Sequence, residues 1–171
     1  MHRSLTIVVL SSLALAGCAG DNAPSQPSFY QSLAAPNAEV DAAAAQSMIS
    51  GYRHNNGLGP VTVDPTLMRL ASEQSRAMAQ RDKLDHDGAR SVNQRIAGAG
   101  FQAKTAVENV GAGYHTLAEA FSGWRDSAPH RANMLKPGVT RMGIAAVYAP
   151  NSKYKVFWTL IMAASDERAG L

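Results

Sequence analysis

The 171-residue chain has a single cysteine, Cys18, so no intramolecular disulfide can form and the fold must rest on its core. Aromatic residues are scarce at 6%, and the charge is nearly balanced. Removing Arg3 with a leader would leave 15 of the 16 Lys and Arg against 13 Asp and Glu. The basic residues are scattered and never interleaved with aromatics, which argues against a nucleic-acid partner. No apolar run reaches the length of a bilayer-spanning helix. The longest, residues 5–15, comes after the basic start Met1-His2-Arg3 and has the length of a signal-peptide core.

The end of that run carries a specific signal. Leu15-Ala16-Gly17-Cys18 has the pattern of a bacterial lipoprotein signal, with small residues directly before a cysteine. It predicts removal of residues 1–17, lipidation of Cys18 and a membrane partner through that anchor. Several acyl chains contribute about 0.8 kcal/mol per buried methylene. Ala19 after the cysteine resembles the outer-membrane sorting type, facing the periplasm, if the cell has two membranes. Residues 18–37 hold Pro24, Pro27 and Pro36 with interspersed serines and read as a tether. Phe29 and Tyr30 within it either dock on the domain or stay exposed. Residues 38–165 form the expected domain and 166–171 a tail.

Within the domain, residues 40–55 read as a helix with Val40, Ala44 and Met48 near one face. Asp64-Pro65 is an N-cap with proline at N1, opening a helix to about residue 83 that buries Leu67, Leu70, Ala71, Gln74 and Met78. Ser91 to Gln94 and Thr116 to Glu119 are capping boxes that start two more helices. The second of these carries Trp124 and breaks at Pro129, leaving His130, Arg131 and Asn133 in a loop. Strands are expected at 106–112, 142–148 and 155–163, the last two as a hairpin around Pro150. In 155–163 both alternating sets are apolar, so helices should cover both faces of the sheet.

Several motifs share one order along the chain: Arg53, Gly57-Leu58, Pro60-Val61, Asp64, His86, Glu108-Asn109, Trp124, residues 127–135, Gly143 and Phe157-Trp158-Thr159. Together they resemble the CAP superfamily of cysteine-rich secretory, antigen 5 and pathogenesis-related 1 proteins, also called SCP domains, in its bacterial disulfide-free branch. The resemblance implies an α+β fold: a three-layer α-β-α sandwich around a central, mainly antiparallel sheet. It also implies a ligand cleft at His86, Glu108, Asn109, Ser127 and His130. Two positions depart from the pattern. Val107 stands where the family has glycine before Glu-Asn, and Ser127 where many members have a second cleft glutamate.

His86, Glu108 and His130 could bind a divalent metal such as zinc with a water completing the shell. They could equally form a hydrogen-bonded network without metal. Ser127, His130 and Glu108 can be drawn as a hydrolytic triad, but no Gly-x-Ser-x-Gly elbow accompanies them. The expectation is a lipid-anchored cell-envelope binding module for a lipid, a cell-wall fragment or a protein partner, rather than an enzyme. The alternative is a metal-assisted envelope hydrolase using the same cleft.

Overall fold

A computed structural model describes residues 26–86 and 90–165. The expected leader, the lipidated Cys18 and the tail at 166–171 lie outside the described residues.

Helix α1 (Ala42–His54) starts at Asp41, whose carboxylate accepts from the Ala44 N–H at 2.9 Å. The same carboxylate accepts from Ser28 Oγ at 2.6 Å. These two bonds, the serine's first, hold the Asp41 pKa below the ordinary aspartate value. The serine bond also fastens the preceding segment to the domain. Phe29 packs against the core, Leu33 is buried, and the Leu33 N–H donates to the His115 carbonyl at 2.7 Å. Tyr30 stays exposed. A tether running through residue 37 is therefore too long, because residues 28–34 belong to the folded unit. Proline and serine predict the absence of regular structure there, which is not the absence of contact. One buried leucine contributes about 1.5–3 kcal/mol.

Strand β1 (Thr62–Val63) leads into α2 (Pro65–Arg81), where Asp64 caps the Thr66 and Leu67 N–H groups. Leu67, Leu70, Ala71, Gln74 and Met78 are all buried, as the helical spacing requires. Helix α2 stops at Arg81 because Asp82 turns left-handed, with φ 48°. Helix α3 (Val92–Gly98) and α4 (Leu117–Asp126) both begin with complete capping boxes. Strand β2 (Ala103–Ala112) lies between them.

After α4 the structure departs from the expected loop. Ser127 is extended, and Ala128-Pro129 opens a new short helix, α5 (Ala128–Met134). Proline does interrupt the helix, but it is equally suited to the first turn of the next one, where no N–H is missed. His130, Arg131 and Asn133 are thus helical. Strands β3 (Arg141–Ala149) and β4 (Lys155–Ser165) form the expected hairpin.

The sheet order is β1-β3-β4-β2, with β1 parallel to β3 and the other pairs antiparallel. Helices α2 and α3 cover one face, with Leu67, Leu70 and Ile96 packed in one cluster with Ile161 of β4. Helices α1, α4 and α5 cover the other, with Ile49, Leu117, Trp124 and Met134 packed in one cluster with Trp158 and Leu160 of β4. This is the three-layer α+β arrangement, and β4 is buried on both faces. Trp124 and Trp158 meet edge to face at 6.3 Å inside the core.

Helix α2 sits directly on Gly143. A Cβ at that position would lie 2.1 Å from the Leu67 carbonyl carbon, a backbone atom with nowhere to go. Gly143→Ala should therefore lower the urea midpoint by the equivalent of about 1–3 kcal/mol or more. A midpoint equal to that of the parent chain would show that α2 can shift at little cost.

Candidate functional site

The site is built around the outer edge of β2, where neighbouring side chains point to opposite faces of the sheet. Glu108 turns toward the α2 and α3 face, and Asn109 toward α4 and α5. Glu108 is almost fully buried, with 3% of its side chain exposed. Its Oε1 lies 3.3 Å from His86 Nδ1, while Oε2 is held in a short ion pair by Arg95 Nη2 of α3. His86 comes after α2 and keeps half of its side chain exposed. Glu108 therefore ties the approach after α2 to the third helix.

On the other face, Asn109 is spent on bracing. Its amide donates to the His130 carbonyl at 2.9 Å, and its Oδ1 accepts from Asn133 Nδ2 at the same distance. Asn133 also donates to the Glu108 carbonyl at 3.0 Å. Helix α5 is in this way stitched to β2. Arg131 donates to the Arg125 carbonyl at 3.2 Å, closing the α4–α5 corner.

The His130 ring is half-buried beside this edge. Burial lowers its pKa below the usual imidazole value, and the nearby His86 adds to the effect by disfavouring a second positive charge. His86, Glu108, Asn109 and His130 are thus gathered at the β2 edge. Ser127 sits at the α4–α5 junction, and its hydroxyl bonds to neither His130 nor Glu108. The triad drawn from Ser127, His130 and Glu108 is not assembled. Asp126 is engaged by its neighbour Arg125 on the surface.

The metal set His86, Glu108 and His130 does not fit either. Among the described residues no group of three His, Cys, Asp or Glu side chains is arranged to hold a metal ion. The chemistry gives the reason. Glu108 already carries a guanidinium on one oxygen and an imidazole on the other, so a cation would have to displace Arg95 from a buried carboxylate. Arg95 is the residue of this cluster that the sequence did not single out. Its only signal was its place next to Ile96, one residue from a core position on a short helix. The side chain is 14% exposed, and its Nε and Nη1 are buried without a hydrogen-bond partner among the described residues. Each unpaired donor costs about 1–3 kcal/mol, which the charge pair with Glu108 must offset.

Zinc should leave the melting temperature of the parent chain unchanged at pH 7.5 but raise that of Arg95→Met, where Glu108 Oε2 is released beside His86. Zinc stabilisation of the parent chain that disappears in His86→Ala would contradict the fit argument. In an NMR titration His130 should have a lower pKa than a free imidazole, near ~6.5, and His86→Asn should raise it. An unchanged value in the variant would mean that the two rings do not sense each other. Because folding depresses this pKa, the stability it contributes is full above the unfolded value. That stability is lost as pH falls through the interval down to the folded one.

Three comparisons bear on this architecture. The model of the cysteine-rich secretory protein family, CAP, matches residues 46–162. The uncharacterized protein YkwD of Bacillus subtilis is 31% identical over 102 residues, which is 58% of this chain and 40% of that one. The chain thus spans well under half the length of that relative. An extracellular SCP-domain protein of Bacillus anthracis superposes with a TM-score of 0.63 at 21% identity, over 72% of this chain and 40% of the other. An outer surface protein of Borrelia burgdorferi superposes with a TM-score of 0.66 at 16% identity, over 75% of this chain and 98% of the other. These two likenesses concern the fold. The family match spans both histidines of the β2 edge, and with it the chain belongs to the cysteine-rich secretory protein, or CAP, family.

Proposed function

We propose that this CAP domain is an envelope-anchored binding module whose β2-edge cleft receives a ligand without turning it over. The observation that carries this reading is the state of Glu108. A general base or nucleophile needs a carboxylate free to take a proton or attack. Here both oxygens are engaged, by Arg95 and by His86, and the residue is buried. The braces from Asn109 and Asn133 make the cleft wall rigid, which suits recognition by a preorganised surface. His86 and His130 supply its polar groups, one half exposed and the other kept neutral near pH 7 by burial and by its neighbour. A lipid, a cell-wall fragment or a loop of a protein partner are the ligand classes this cleft would take. Two of the relatives are described as an extracellular and an outer surface protein, which supports an envelope location. The Leu15 to Cys18 pattern supports a lipid anchor there.

The test separates anchor, binding and turnover. Cys18→Ser should move the protein from the membrane fraction to the soluble one while leaving its melting temperature unchanged. Muropeptides and phospholipid micelles, screened by ligand-observed NMR, should give contacts that weaken at least about tenfold, or about 1.4 kcal/mol, in His86→Ala. Hydrolysis of either probe that is lost in the same variant would replace the binding module by an enzyme. Contacts that persist unchanged in the variant would place the ligand elsewhere.

A further inference from the structure

The two edges of the sheet treat their outward-facing backbone groups differently. On β2 two of the outward carbonyls are covered by side chains: Glu108 accepts from Asn133 Nδ2 at 3.0 Å and Val110 from Trp124 Nε1 at 3.3 Å. On β3 the cover stops early. The Thr62 N–H donates to the Thr140 carbonyl at 2.9 Å and the Asp64 N–H to the Met142 carbonyl at 2.8 Å. There β1 ends, because Asp64 becomes the cap of α2.

Alternation along an antiparallel ladder then says which groups are left. Met142 faces β1, so Ile144, Ala146 and Tyr148 face the same way. The other end of the strand agrees independently. The Val156 carbonyl accepts from the Gly113 N–H on the β2 side, so its partner Tyr148 must turn its backbone away from β4. The Ile144 N–H meets only the sulfur of Met68, at 3.2 Å, and thioethers are weak acceptors. Among the described residues Ala146 and Tyr148 make no backbone bond outside the β3–β4 ladder.

This edge is the floor of a groove of about 530 Å³ between α2 and the segment entering α1. Met68, Ser72 and Arg76 form one wall, Ala38 and Val40 the other. Arg76 is exposed and takes part in no hydrogen bond or ion pair among the described residues. It also borders the adjoining depression with Gln80 and Asn151, so it stands midway along the open edge. Glu39 stands on the opposite wall, which disfavours a uniformly acidic occupant.

We propose that the β3 edge is a peptide-binding site, at which an extended segment of a partner protein adds as a fifth strand and sets a single carboxylate side chain against Arg76. Main-chain hydrogen bonds to Ala146 and Tyr148 would supply affinity, and the arginine orientation and selectivity. The site is independent of the cleft, which lies at the opposite edge of the four-stranded sheet.

The probes are fluorescein-labelled hexapeptides of alternating valine and threonine, carrying one glutamate or one lysine, with a copy of the glutamate peptide N-methylated on alternate amides. Fluorescence anisotropy on the parent chain should show the glutamate peptide binding at least about tenfold tighter than the lysine one. Arg76→Glu should reverse that order. N-methylation should abolish binding, as should Ala146→Pro, which removes an outward N–H without breaking a ladder bond. Equal binding of the methylated and parent peptides overturns the proposal, because it leaves no strand pairing. Failure of every peptide to bind at ~1 mM overturns it too. So does a concentration-dependent dimer of the parent chain that Ala146→Pro dissolves, since the edge would then serve a second copy. Should Ala146→Pro fail to fold, the methylated peptide decides alone.

Discussion

The guanidinium of Arg53 is where three separated stretches of the chain are tied together. It is 1% exposed and sits near the end of α1. Its Nε donates to the Gly59 carbonyl at 2.9 Å, Nη1 to those of Met134 and Lys136 at 2.8 and 3.0 Å, and Nη2 to that of Val139 at 3.1 Å. Burial lowers its pKa from the usual arginine value, a penalty that four carbonyl partners offset. Only a planar fork of donors can meet four acceptors at once, so lysine could not replace it. Three of these carbonyls, those of Met134, Lys136 and Val139, lie at the end of α5 and in the turn leading to β3, where the last acceptors of a helix have no partner within it. The position of α5, and of everything α5 carries, depends on this one side chain.

From that clamp the β2 edge is assembled in steps. Helix α5, fixed at its C-terminus by Arg53, presents Asn133 to the Glu108 carbonyl and the Asn109 side chain. Asn109 returns a bond to the His130 carbonyl. The strand is thereby locked where Glu108 can be shared between His86 and Arg95 on the opposite face. The carboxylate gains a cationic partner from within the chain. The arrangement is self-sufficient in charge, which turns what the residue types alone suggest as a metal centre into a rigid polar wall. Two donors on Arg95 that find no partner among the described residues are the cost of that choice.

The contrast between the two sheet edges has the same origin. Both β2 and β3 have long strands and short or absent neighbours. On β2 the helices α4 and α5 lie alongside and contribute Trp124 and Asn133 to the outward carbonyls. On the outer side of β3, away from β4, the strand partner among the described residues is the two-residue β1, which must end so that Asp64 can cap α2. A helix start is thus made at the expense of an edge. Natural sheets commonly blunt such an edge with charge or a bulge, and here a single exposed arginine, Arg76, stands beside it.

Much of this was legible in the amino-acid order. Asp64-Pro65 and the two capping boxes placed three helix starts, because caps are local and bond within one turn. The doubly apolar pattern of residues 156–163 placed β4 between two helical layers, because burial on both faces leaves no polar side. The resemblance selected His86, Glu108, Asn109 and His130, which the structure brings to one strand edge. What the order of residues could not decide was pairing across distance. Pro129 reads equally as a stop and as a start, and only packing against β2 made it a start. The serines and prolines of residues 28–34 carry no period, yet Ser28 and Leu33 find partners 13 and 82 residues away. Arg95 and Glu108 are 13 residues apart with no local pattern between them. Local bonds and periodic burial are written along the chain; which charge meets which is settled only when distant segments are folded together.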